Sequence, residues 1–146
     1  MIIKLNTIQI PTYWEVIKHA TAKTNQIESS EYRVYFTNLL ADLLTDKSHC
    51  FVGFDEDRKL LWLTITKNIT DKISRKKYLL IQSLYGFQKL SDQIWIDYNK
   101  FIHLFAEHTK CKALIFDSNN ERILSMARKF NYRIRYTSMI YNLGGD

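Results

Sequence analysis

The chain has 146 residues, 46% of them hydrophobic and 14% aromatic, with a formal net charge of +6. That composition predicts one compact domain over 1–146 with a sizeable core, and the absence of any Pro-, Gly- or Ser-rich stretch argues against a linker and a second domain. Met1 to Asn6 turns polar too early for a secretory signal and no eighteen-residue apolar run occurs, so a soluble, cytoplasmic chain with no membrane contact is expected.

Met1 to Ile10 is rich in β-branched residues and is predicted as a first strand stopped by Pro11. Thr12 is placed to cap a helix carrying Trp14 and Ile17, and after a polar stretch a second helix is marked by Tyr32, Phe36, Leu39 and Leu43, joined by Tyr35, Leu40 and Leu44. His49 to Phe54 and Leu60 to Thr66 read as antiparallel strands joined by the turn Asp55 to Arg58. A charged connector, Lys67 to Lys77, precedes a buried-strand pattern at Tyr78 to Tyr85.

Gly86 to Gln93 reads as a loop, with Ser91 or Asp92 able to cap a long helix through Ile94, Tyr98, Phe101, Ile102 and Phe105. A short strand, Ala113 to Phe116, a polar turn, Asp117 to Asn120, and a helix, Glu121 to Phe130, follow. Asn131 stands where a helix commonly ends in a left-handed residue. Tyr132 to Arg135 and Tyr136 to Leu143 are predicted as a final hairpin or paired strands.

The charge excess favours anionic partners, with its densest patches at Arg75-Lys76-Lys77 and at Arg122, Arg128, Lys129, Arg133 and Arg135. Basic residues beside aromatics such as Tyr132 and Tyr136 make nucleic-acid binding a reading to carry forward. Cys50 and Cys111 have no C-x-x-C partner and are expected as buried free thiols, with a disulfide as the lesser alternative. His103 and Glu107 can touch along one helix, but no H-E-x-x-H pattern is present and no metal site is expected. Gly-x-Ser-x-Gly, P-loop and Rossmann glycine patterns are lacking, which removes the main support for hydrolase, nucleoside triphosphatase and dehydrogenase readings.

One segment is sharper. Asn120-Glu121-Arg122-Ile123-Leu124-Ser125-Met126-Ala127-Arg128-Lys129-Phe130-Asn131-Tyr132 resembles the N-E-R-A-I-x-L-Y-x-K-x-G-F run found in the GNAT superfamily of acetyl-CoA-dependent N-acetyltransferases. Asn131 takes the place of the helix-ending Gly, and the element order along the chain resembles that family as well. The resemblance implies an α+β fold with a central mixed, mostly antiparallel, splayed sheet and about four helices, and acetyl-CoA and an amine as partners.

It also implies a cofactor site at Leu84, Gly86, Gln88, Lys89, Ser91, Gln93 and Asn120, with main-chain donors from the strand Tyr78 to Tyr85. Gln88 to Gln93 aligns with the Gln/Arg-x-x-Gly-x-Gly/Ala loop that grips the CoA diphosphate, but Ser91 and Gln93 stand at the glycine positions and Asp92 adds a carboxylate. The general-acid Tyr of many members corresponds to Ala127, leaving Tyr132, Tyr136 or Ser125 as substitutes. The strand Tyr78 to Tyr85 holds no carboxylate or His, so Glu56 and His49 are the base candidates.

Two functional readings follow. One is an acyl-CoA N-acyltransferase-like protein with impaired or absent catalysis, a pseudoenzyme. The other is a structural or interaction module, assembling with itself or in a virion, because the hydrophobic end running into Gly144-Gly145 resembles acetyltransferase-like virion proteins of short-tailed phages.

Overall fold

The computed structural model describes residues 1–118, 120–136 and 138–144; Asn119, Thr137, Gly145 and Asp146, which belong to the predicted polar turn and the predicted C-terminal end, lie outside the described residues. Its centre is a five-stranded sheet in the order β1-β2-β3-β4-β5. The strands are β1 (Ile2–Lys4), β2 (Ser48–Phe54), β3 (Leu60–Thr70), β4 (Lys77–Gly86) and β5 (Ala113–Phe116). All neighbours are antiparallel except β4 and β5, which run parallel. The helices are α1 (Ile10–Asn25), α2 (Tyr32–Leu44), α3 (Asp92–His108) and α4 (Glu121–Lys129), with a 3₁₀ turn at Ser29–Glu31.

The period-2 alternation of β3 decides the layers. Leu63 and Ile65 join Ile17, Ala20, Leu39 and Leu43 in a core under α1 and α2, whereas Trp62 joins Leu79, Ile81, Tyr98 and Ile102 in a second core under α3 and α4. Tyr98 is anchored by its hydroxyl, 3.0 Å from Thr64 Oγ1, which itself donates to the Ser83 carbonyl. The β2–β3 register sets Gly53 opposite Trp62, and a Cβ on Gly53 would lie 2.5 Å from the indole. Glycine therefore lets that ring lie flat against the sheet.

Three differences from the sequence-based expectation have physical causes. The first strand ends at Lys4 rather than Ile10, because the Asn6 side chain accepts from the Ile8 and Gln9 amides and turns the chain into α1. Pro11 then sits in the first turn of α1, where its missing N–H costs nothing, and Thr12 lies inside the helix instead of capping it. Strand β3 continues four residues past Thr66, since Lys67 to Thr70 keep pairing with Leu80 to Lys77 despite their polarity.

The third difference is at the C-terminus, where 132–136 and 138–144 form no strand. The segment is instead drawn to the β3–β4 turn, where Arg135 donates to Asp71 Oδ2 at 2.9 Å. Beyond it Met139, Ile140, Tyr141 and Leu143 are 85–90% exposed. Cys50 is buried and Cys111 half-buried, and both are free thiols; burial pushes the Cys50 thiol up to about 12. Among the described residues no helix is long and apolar enough to cross a membrane.

Candidate functional site

Strand β5 accompanies β4 only from Tyr78 to Ile81, while β4 runs on to Gly86. From Gln82 onward, the edge of β4 facing away from β3 has no strand beside it among the described residues, so its outward backbone N–H and C=O groups border a gap. The gap widens into a cavity of about 910 Å³ between β4, the C-terminal turn of α1, the N-terminus of α3 and the length of α4. That is enough for a ligand of cofactor size.

A β-bulge sits where the strands part: Ile65 pairs with Ser83 but Thr66 pairs with Ile81, leaving Gln82 as the extra residue. Gln82 and Ser83 consequently both face the α1/α2 layer, which breaks the usual alternation and re-aims the backbone at the mouth. Gln82 Oε1 accepts from Ser48 Oγ at 3.2 Å, and Ser83 Oγ donates to Asn25 Oδ1 at 3.0 Å. Asn25 Nδ2 in turn donates to the Tyr35 hydroxyl at 2.7 Å. Burial lifts the Tyr35 phenol above its ordinary value, against the hydrogen bonds from Asn25 and Ser83.

Opposite that network, two helix N-termini face the cavity. Ser91 caps α3 by accepting from the Ile94 amide at 3.3 Å, and Asp92 occupies its first turn. Asn120 caps α4 by accepting from the Arg122 amide at 2.9 Å and the Ile123 amide at 3.4 Å, with Glu121 in the first turn. Both dipoles favour an anion in the cavity, yet each is already met by a side-chain oxygen and a carboxylate. Among the lining residues, Lys23, Lys89, Arg122 and Lys129 stand against Asp92, Asp117 and Glu121.

Of the cofactor positions inferred from sequence, Leu84, Gly86, Gln88, Lys89 and Asn120 line the cavity, and Ser91 and Gln93 do not. Gln88 turns its amide to the Leu60 carbonyl at 3.4 Å, and Gln93 pairs with Asp97 at 2.9 Å. Ser125 lines the cavity from α4, where Ala127 is buried away from it. Tyr132 is outside the lining, its amide on the Ala127 carbonyl and its ring against His103, and burial pushes its phenol up to about 12. Tyr136 belongs to the C-terminal segment beside Arg135.

Glu56 is exposed in the β2–β3 turn, away from the cavity. His49 is buried among Phe51 and Phe105 with no partner for Nδ1 among the described residues, and burial, with Lys4 nearby, lowers its pKa. Sequence reasoning missed Lys23, Asn25 and the pair Tyr85–His19, whose hydroxyl and Nε2 stand 3.5 Å apart. No local signal marks them, because Asn25 and Ser83 meet across 58 residues. Among the described residues no three His, Cys, Asp or Glu side chains gather as metal ligands.

Solved structures with the same architecture are all-over matches. A predicted acetyltransferase of Clostridium acetobutylicum, solved with acetyl-CoA, superimposes with a TM-score of 0.74 at 10% identity, covering 97% of this chain and 95% of that one. A ribosomal-protein-alanine N-acetyltransferase from Brucella melitensis matches with a TM-score of 0.70 at 11% identity over 99% of both chains. An aminoglycoside 6'-N-acetyltransferase from Acinetobacter baumannii does so with a TM-score of 0.70 at 8% identity, again over 99% of both. No family model matches the sequence, and no curated protein does. The chain thus has the α+β fold of the GNAT acetyltransferases, with four helices and a mixed sheet.

Proposed function

We propose that the cleft between β4 and β5 is an acyl-CoA site of the N-acyltransferase type whose turnover is impaired. The observation that carries this reading is the parting of β4 from β5 at Ile81, which leaves a bulged main-chain edge beside two helix N-termini. Acetyl-CoA, when bound, supplies an activated acyl group for transfer to an amine. The free N–H groups of β4 would polarise its carbonyl, and Lys89, Arg122 and the α4 N-terminus would draw its diphosphate.

The same residues argue for a poor enzyme. Ser91 Oγ holds the Ile94 amide, and Asp92 and Glu121 put carboxylates in the two first turns that a diphosphate would need. Ala127 offers no proton to a departing thiolate. On the acceptor side the cleft presents neutral hydrogen-bonding groups, Asn25, Ser83 and Tyr85, together with Lys23. Of these, Tyr85 contacts an imidazole, its hydroxyl standing 3.5 Å from His19 Nε2.

Isothermal titration with acetyl-CoA, paired with a thiol-release assay on a panel of primary amines, tests the proposal. The expected result is a Kd of about 0.1–1 mM and thiol release close to the uncatalysed rate. Micromolar binding with many turnovers would restore a full acyltransferase, and no heat at millimolar ligand would remove the cofactor from the account.

A second reading, a structural or interaction module such as a virion component, rests on the C-terminal run, where Met139, Ile140, Tyr141 and Leu143 face solvent. Apolar surface of that extent on one short segment suits burial against another protein. Co-purification of the full chain in a larger assembly supports it, and a monomer that acetylates a defined amine contradicts it.

A further inference from the structure

The end of the sheet opposite the cleft gathers cations that are far apart in sequence. The β3–β4 turn carries Lys72, Arg75 and Lys76, β4 opens with Lys77, and the connection from α3 to β5 carries Lys110 and Lys112. The parallel β4–β5 pairing brings the two groups together: the Lys112 amide donates to the Lys77 carbonyl at 2.7 Å, and Lys77 Nζ donates to the Thr109 carbonyl at 2.7 Å. All six residues are exposed, and among the described residues none of the six forms an ion pair.

The turn is pre-organised. Asp71 exchanges backbone hydrogen bonds across it, its amide donating to the Lys76 carbonyl and its carbonyl accepting from the Arg75 amide, both at 2.8 Å. Its carboxylate accepts from the Ser74 amide, the Ser74 hydroxyl and Arg135. The one acid of the turn is thus consumed internally. Arg135 lies 5.7 Å from the Tyr78 ring centroid and 5.9 Å from that of Tyr136, which is 59% exposed. An exposed ring beside Arg135, itself bonded to the cation-bearing turn through Asp71, suits a polyanion that carries planar groups, since backbone phosphates meet the cations and bases stack on the ring.

We infer that the β3–β4 turn, the α3–β5 connection and Tyr136 together form a binding surface for single-stranded nucleic acid, independent of the cleft. The test is fluorescence anisotropy of the full chain with fluorescein-labelled twenty-nucleotide oligo-U and oligo-dT across a salt series. Lys72→Glu with Lys76→Glu, and separately Lys112→Glu, are expected to leave thermal stability intact. Each reversed cation should flatten the log K against log salt slope by about 0.7, so that the double variant loses roughly tenfold or more in affinity at 0.1 M salt. Tyr136→Ala should lose roughly fivefold or more through stacking. Equal losses from Lys89→Glu with Arg122→Glu at the cleft would overturn the inference. So would binding of poly-glutamate, of phosphatidylserine vesicles or of a duplex as tightly as the single strands, or no binding at 50 mM salt.

Discussion

The two ends of β4 finish a strand in opposite ways. At Lys77 the strand has β3 on one side and the start of β5 on the other, and the turn before it is tied by Asp71, Ser74 and Arg135. At Gly86 the strand has kept β3 but lost β5 four pairs earlier, and a bulge at Gln82 has turned two successive side chains to the same face. The closed end is a hydrogen-bonded turn on which charge faces outward. The open end is a cavity bordered by an edge of β4 that, among the described residues, no strand pairs.

The largest effect should separate the two directly. Ile81, the last residue paired on both sides and fully buried, should cost about 2–5 kcal/mol on Ile81→Ala by urea unfolding. Leu84 is nearly as buried but borders the cavity, so Leu84→Ala should cost clearly less, because the site can rehydrate or collapse. Equal costs would mean that the upper half of β4 is packed as tightly as the lower.

Next in size is the tie at the closed end. Hydrogen bonding from Arg135, then from the Ser74 amide, holds the Asp71 carboxyl below its ordinary 3.8, so this group stabilises the fold above that pH and its contribution fades as pH falls below it. Asp71→Ala should therefore lower the Tm at pH 7, and the gap to the parent should shrink steadily below about pH 4. A gap that persists undiminished into strong acid would show that the loss comes from the turn's shape rather than its charge.

The smallest change in stability should come with the sharpest change in binding. Ser91→Gly removes a cap at a cost of a few tenths of a kcal/mol, since Gly is tolerated at that position. It also frees the Ile94 amide at the N-terminus of α3, and acetyl-CoA should bind several-fold more tightly by calorimetry. Unchanged affinity would place the diphosphate, or the whole ligand, elsewhere.

Much of this frame is legible in single residues. Ser91 caps the helix that its type and position announce, and Asn131 takes a φ of 68° where the helix pattern asks for a left-handed residue. The apolar spacing of Tyr98, Ile102 and Phe105 marks α3 because an amphipathic face repeats locally. What is not legible is set by pairing at a distance. The last four residues of β3 look like connector and are strand only because β4 offers partners. The Asn25–Ser83 contact and the meeting of Lys77 with Lys112 depend on the sheet being assembled. The C-terminal run has the composition of a strand, yet its described residues form none, and Arg135 bonds instead to Asp71 at the β3–β4 turn.

The central claim is that the cleft end of β4, not the cationic end, receives acyl-CoA. Amide-resolved NMR during an acetyl-CoA titration separates the two, since the ligand's phosphates could be drawn to either. The account predicts shifts concentrated at 82–90 and at 120–126, with Lys72 to Lys77 and Lys110 to Lys112 unmoved. Shifts gathered at the β3–β4 turn, or none at millimolar ligand, would contradict it.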